Sequence, residues 1–235
     1  MKVTIVFSGR KKIDRGDFGL EVTLFLFAQK ILARDKIFLI RGNHELRTIQ
    51  KYFTFHNECI QKFGEKLGDT VWKEINKTFD HLPFAAVVDD QIFCVHGGIP
   101  RPSLYNFKAN TSIYEELNSK IETPLNDVET QCPLAWDLLW SDPQRENDIV
   151  LLSKEERDES NDDEIILEQY DLLQTGFSEE NVGMGPNPRR GTACIFNEKA
   201  LNMFLNRFNL SQVIRAHEVQ SNFGVAGNCN FFKIF

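Results

Sequence analysis

No stretch of this 235-residue chain approaches the ~18 consecutive apolar residues that a membrane-spanning helix needs. The amino terminus, Met1-Lys2-Val3-Thr4-Ile5-Val6-Phe7, has one positive charge and too short an apolar run for a secretory signal. It reads as a buried strand. Surplus positive charge is also missing. With 27 Lys and Arg against 34 Asp and Glu, the formal charge is −7, which argues against general affinity for nucleic acid or an anionic membrane. The five cysteines (Cys59, Cys94, Cys132, Cys194 and Cys229) are odd in number, widely spaced and never arranged as C-x-x-C. That pattern fits neither a disulfide framework nor a zinc cage, and suits reduced core thiols in the cytoplasm or nucleus. There is no internal repeat. What is abundant is phenylalanine, at 20 residues, which points to a core rich in rings.

Val3–Phe7 is a strand candidate, and Leu20 to Ala33 has an apolar face at helical spacing (Val22, Leu24, Leu26, Phe27, Ile31). Lys36–Ile40 is a second strand, so the first ~40 residues read as a βαβ unit. Thr48 to Gly64 and Thr70 to Phe79 read as helices, the second burying Val71, Trp72, Ile75 and Phe79. Ala85–Val88 and Ile92–Val95 are short strands joined by an Asp89-Asp90-Gln91 turn. Gln212–Arg215, Phe223–Ala226 and Phe231–Phe235 are further strands. Between Glu146 and Glu164, nine acidic residues face only Lys154 and Arg157, which reads as a solvated acidic loop or insertion over residues 144–187.

Four loops concentrate reactive chemistry: D-R-G, G-N-H-E, H-G-G and R-A-H-E, each following an apolar strand. With P-R-R-G they supply Asp14, Arg15, Asn43, His44, His96, Arg190 and His217. In α/β sheets ligands sit at the carboxyl ends of strands, where loops converge on a rigid sheet. Taken singly, a histidine at a strand end is more often a satisfied polar residue than a ligand, and Gly42, Gly97 and Gly98 are ordinary turn formers. Four such coincidences in one chain outweigh that reading. Imidazole, amide oxygen and carboxylate suit divalent metals such as Mn, Fe or Zn, and arginines offer planar forks to phosphate oxygens. Together they point to metal-assisted hydrolysis of a phosphate ester.

The stretches "IDRGDFGLEV", "IFLIRGNHE", "FHNECIQKFG", "VWKEINKTFDHLPFAAVVDDQIFCVHGGIP", "LLWSDP", "PRRG" and "VIRAHE" run in order over nearly the whole chain. On these the chain resembles the PPP family of serine/threonine phosphoprotein phosphatases, within the calcineurin-like metallophosphoesterase superfamily. The resemblance implies a single metallophosphatase domain over residues 1–235, an α/β fold with a β-sandwich flanked by helices. It also implies two metal ions at the strand ends that share a bridging hydroxide, which attacks phosphorus in line. By motif match Asn43, His96 and His217 are ligands of the second metal, His44 is the proton donor and Asp14 orients it. Arg15 and Arg190 bind the phosphate oxygens. Implied partners are phosphorylated protein substrates and regulatory subunits, with no nucleic acid and no membrane.

The chain departs from the family pattern in three places. The family opens its site with G-D-x-H-G, which does not occur here, and follows with G-D-x-x-D-R-G. In this chain Gly9 is followed by Arg10-Lys11-Lys12-Ile13, one residue longer and without the first carboxylate. At the far end the family continues past a strand like Phe231–Phe235 into an S-A-P-N-Y-type loop. The expectation is therefore a domain incomplete at both ends, lacking the first strand and the C-terminal strands. Its first metal site is not formed, and its second keeps three of four ligands. Cations at 10–12 would repel a divalent ion by about 4 kcal/mol per unit charge pair at about 4 Å. Three readings follow, in order: a phosphatase, a non-catalytic relative that binds phosphoproteins or partner subunits, and a one-metal phosphoesterase of low activity.

Overall fold

The computed structural model describes residues 4–7, 13–14, 16–106, 111–145, 148, 183–218 and 231–233. The expected Phe223–Ala226 strand, most of the expected acidic loop, Arg10–Lys12 and Arg15 lie outside them.

The βαβ opening is present. Strand β1 (Thr4–Phe7) and strand β2 (Ile37–Ile40) pair in parallel, Thr4 opposite Ile37 through Phe7 opposite Ile40, with helix α1 (Gly19–Leu32) between them. The face that α1 buries matches the expected one only in part: Val22, Leu26 and Phe27 are half-buried, with Phe27 packed on Phe79. Leu20 and Thr23 turn inward, while Leu24, Phe25, Ile31 and Leu32 are exposed. A helix apolar on most of its circumference has no unique buried stripe, so neighbouring elements select one.

The single helix expected over Thr48 to Gly64 is two, α2 (Arg47–Tyr52) and α3 (Phe55–Phe63). The break has a local cause: the amides of Thr54 and Phe55 donate to the Asp14 carboxylate (3.2 and 2.9 Å), which starts a new helix there. Helix α4 (Glu65–Phe79) begins five residues before the expected Thr70 and buries Trp72, Ile75 and Phe79.

Strands β3 (Ala85–Val88) and β4 (Ile92–Val95) form the expected hairpin, with Asp89 and Asp90 both at positive φ (51° and 54°). A 3₁₀ turn at Pro102–Leu104 and helices α5 (Ile113–Lys120), α6 (Val128–Gln131) and α7 (Pro133–Trp140) lead to strand β5 (Asp142–Pro143). Strand β6 (Met184–Pro186) falls inside the stretch expected to be loop. It pairs antiparallel with β7 (Cys194–Phe196), which pairs in parallel with β5. Helix α8 (Glu198–Phe208) then leads to β8 (Gln212–Arg215) and β9 (Phe231–Lys233).

The described strands make three sheets, in orders β1-β2, β3-β4-β8-β9 and β5-β7-β6. The four-stranded sheet is the middle layer. On one face Phe93, Val95 and Val213 join Cys194 and Phe196 of the three-stranded sheet and Leu201, Phe204 and Phe208 of α8. On the other face Cys94, Ile92 and Ile214 pack with Ile40 and Ile5 of the two-stranded sheet. Period-2 alternation along β4 and β8 thus serves two cores. A third core gathers Leu20, Phe55, Cys59, Trp72 and Phe79 among α1, α3 and α4. Cys59, Cys94, Cys132 and Cys194 are all buried free thiols, as expected. No helix among the described residues is long and apolar enough to cross a membrane.

Candidate active site

Strands β4 and β8 run in parallel, with Val95 opposite Arg215, so both deliver their next residues to the same edge of the sheet. His96 follows β4, and the amide of Ala216 donates to the His96 carbonyl at 3.2 Å, which holds the two loops in step. His217 follows in the left-handed region (φ 65°), which swings its ring back toward His96. The loop after β2 supplies Asn43. Its Oδ1 lies 2.8 Å from His96 Nε2, which in turn lies 3.1 Å from His217 Nδ1. Three side chains 53 and 121 positions apart in pairs are thereby brought to one point.

Each loop is held from beneath. In Arg41-Gly42-Asn43-His44-Glu45, the Gly42 amide donates to Glu45 Oε2 at 2.6 Å, so the loop is closed by its own carboxylate. The buried Arg41 guanidinium donates to the Glu45 carbonyl (3.0 Å) and the Leu125 carbonyl (2.7 Å). Burial pulls its pKa down to about 10, against the pull of Asp80 and Glu45. In His96-Gly97-Gly98 the chain runs against α7. A Cβ on Gly97 would lie 2.5 Å from the Leu139 carbonyl carbon, so only glycine fits the approach.

His44 and Asp14 are both buried, and His44 Nδ1 lies 2.6 Å from Asp14 Oδ2. With Asp14 Oδ1 occupied by the Thr54 and Phe55 amides, the carboxylate has one orientation and so does the ring.

Arg190 donates from Nε to Asp142 Oδ2 at 2.8 Å. Asp142 also accepts from Arg215 (2.6 Å) and Asn187 (3.1 Å), and its Oδ1 lies 3.8 Å from His217 Nε2. Burial pushes its carboxyl up, but Arg215, His217 and Arg190 together hold it well below the usual carboxylate range. Arg215 is fully buried, donating also to Glu218 Oε2 at 2.6 Å and to the Gly97 carbonyl. Arg189 and Arg145 reach Glu218 from the opposite side, and Arg189 extends to the buried Asp148 at 3.3 Å. The reading of the sequence assigned no role to Asp142, Arg215 or Glu218. Their available signal was charge set at the end of apolar runs, Leu138-Leu139-Trp140-Ser141 for the aspartate and Val213-Ile214 for the arginine.

Burial, and then His96 beside it, push the His217 imidazole well below its ordinary pKa, so it stays neutral. Neutral imidazole is the form that binds metal. Two donors about 2.1 Å from one ion and at right angles lie about 3.0 Å apart, which the 2.8 and 3.1 Å separations match. An amide oxygen and two imidazole nitrogens in this arrangement fit a divalent cation. Among the described residues no group of three or more His, Cys, Asp or Glu is placed to hold a metal.

The calcineurin-like phosphoesterase family model matches residues 13–221. The chain is 34% identical over 209 residues to serine/threonine-protein phosphatase 2B catalytic subunit A2 of Saccharomyces cerevisiae, covering 88% of this chain and 31% of that protein. It is 32% identical over 206 residues to serine/threonine-protein phosphatase BSL2 of Arabidopsis thaliana, covering 88% of this chain and 16% of that one. The chain therefore spans about a third or less of these relatives. In fold it is similar to a protein serine/threonine phosphatase from Saccharomyces cerevisiae with similarity to human phosphatase PP5. The TM-score is 0.62 at 24% identity, covering 94% of this chain and 54% of that structure. The chain belongs to the calcineurin-like phosphoesterase family, in its PPP branch of serine/threonine protein phosphatases.

Proposed function

We propose that this chain hydrolyses phosphoserine and phosphothreonine esters of proteins with a divalent metal, Mn, Fe or Zn. The observation that carries the reading is the meeting of Asn43 Oδ1, His96 Nε2 and His217 Nδ1 beside a histidine locked to a carboxylate. Held by those three atoms, a divalent cation would polarise a phosphoryl oxygen and an attacking water. The chain's own groups do the rest. With His44 doubly protonated, Nδ1–H donates to Asp14 and Nε2–H gives its proton to the departing serine or threonine oxygen, which leaves a neutral ring still held through Nδ1–H on Asp14. Arg190, braced by Asp142, offers the rest of its guanidinium to the phosphate and neutralises charge that builds there. Arg15, outside the described residues, is assigned the same task by its D-R-G position. Regulatory subunits would set the choice of protein substrate.

A second reading, a non-catalytic phosphoprotein binder, is favoured by Arg10-Lys11-Lys12, which stand where the family carries a carboxylate. Phosphate release from a phosphoserine peptide with Mn²⁺ separates the two. The expected result is release that falls about a hundredfold or more in His44→Ala. Peptide binding that depends on Arg190, with no release by the unaltered chain, supports the second reading instead.

A further inference from the structure

Gln50 lies on α2, six residues after His44, and is fully buried. Its side-chain amide is committed at both ends. Nε2 donates to the His44 backbone carbonyl at 3.0 Å, while Oε1 accepts from Trp72 Nε1 at 2.7 Å and Asn76 Nδ2 at 2.8 Å. Asn76, also fully buried, donates further to the Trp72 carbonyl at 2.9 Å, so the two α4 donors are themselves coupled. His44 is therefore tied down at two points. Its ring is fixed through Asp14 to the first amides of α3, and its backbone through Gln50 to the middle of α4. Helices α3 and α4 share a core around Phe55, Cys59, Trp72 and Phe79, so both tethers end on one packed block.

We propose that Gln50 is a positioning residue for His44, holding the histidine's backbone so that its Nδ1 stays on Asp14. The proposal rests on the reading of His44 as proton donor given above. Glu45 and Arg41 close the loop on either side of His44, but the His44 carbonyl itself is held by Gln50, and loss of that bond would let the 2.6 Å contact lengthen. The residue type is dictated by the site, because a hydrocarbon there would strand two indole and amide donors and one carbonyl away from water.

Gln50→Glu separates this role from simple packing. Ionised, the carboxylate still accepts from Trp72 and Asn76 but cannot donate to the His44 carbonyl, whereas the neutral acid can. The variant is therefore compared with the unaltered chain over a range of pH and read at its alkaline end. Hydrolysis is compared for phenyl phosphate, whose poor leaving group needs a proton, and p-nitrophenyl phosphate, whose good one does not. The expected result is that the phenyl to p-nitrophenyl rate ratio falls about tenfold or more in folded Gln50→Glu, within the usual range of general-acid contributions. Equal losses on both esters would mean a packing role only and would overturn the proposal. Proton NMR of the metal-free chain supplies a readout that needs no turnover. The His44 Nδ1–H signal, identified by its loss in His44→Ala, should broaden or vanish in Gln50→Glu. If the unaltered chain hydrolyses neither ester, the phosphatase reading fails while the NMR result still decides the positioning role. An unchanged signal refutes it whatever the rates. Should Gln50→Glu not fold, Gln50→Met is read against Trp72→Phe as its control. Met removes the bond to His44 and also the acceptor for Trp72, whereas Phe removes only the latter pairing, and equal effects in the two would mean packing and overturn the proposal.

Discussion

Arg190 holds Asp142 through Nε at 2.8 Å, with its Nη2 3.5 Å from the other oxygen of the same carboxylate, and that carboxylate lies 3.8 Å from His217 Nε2. In the proposed phosphatase the planar fork would do two jobs, gripping the carboxylate on one side and offering its remaining N–H groups to phosphate. Lysine has the same charge on a single ammonium and cannot do both. Arg190→Lys should therefore weaken binding of inorganic phosphate about tenfold or more, the usual worth of a charge-assisted hydrogen bond. A phosphorus NMR titration measures this without turnover. Equal affinity in the two proteins would remove Arg190 from the phosphate site. The motif P-R-R-G made the residue visible in the sequence. Its bond to Asp142 was not visible there, because the two residues are 48 positions apart.

Helix α1 starts without a capping side chain of its own, since Phe18 precedes it. Its first amides are met from another element. Glu58 of α3 accepts from Gly19 (3.0 Å) and Leu20 (2.9 Å), and Lys62 bridges Glu58 to Glu21 of α1. Gly19 is required at this contact, because a Cβ there would lie 2.2 Å from the Ile13 carbonyl. The start of α3 is in turn held by Asp14, so the loop carrying D-R-G is pinned on both sides by reciprocal caps. Glu58→Ala should cost about 1–3 kcal/mol, as for a lost cap that leaves buried amides unmet. Urea unfolding followed by circular dichroism tests it, and a change below the error of that measurement would show that water meets these amides instead. The split of the expected Thr48–Gly64 helix belongs to the same device. Periodicity runs through Phe53 without interruption, and only the carboxylate of a residue 40 positions earlier ends one helix and begins the next.

The three cores among the described residues each enclose a cysteine thiol, and their burial has a consequence for pH. Burial pushes Cys59 in the helical core and Cys94 beneath the four-stranded sheet up to about 11. In the unfolded chain these thiols ionise near about 8.5. Above that pH the unfolded state loses protons that the folded state keeps, so stability falls as pH rises from about 8.5 toward 11. The urea midpoint should therefore drop over this range. The drop should be smaller in the Cys59→Ala/Cys94→Ala double variant, even though cavities lower its starting stability. An identical pH dependence in the two proteins would show that these thiols are ionised equally in the folded and unfolded chains.

Local pattern carried the strand ends and the reactive loops, because an apolar run of four or five residues followed by G-N-H-E or H-G-G is legible wherever it falls in a chain. That was enough to single out Asp14, Asn43, His44, His96 and His217 as candidates in loops after strands, and P-R-R-G added Arg190. Which face of α1 is buried, where α2 gives way to α3, and that Met184–Pro186 is strand all depend on partners distant in sequence, so no window of neighbouring residues contains them. The same holds for the site itself. Parallel pairing of β4 with β8 sets His96 beside His217, and the buried amide of Gln50 and carboxylate of Asp142 fix how the reactive side chains point. A residue's chemistry is a property of its type. Its direction is a property of the groups packed against it, and those are assembled only when the chain folds.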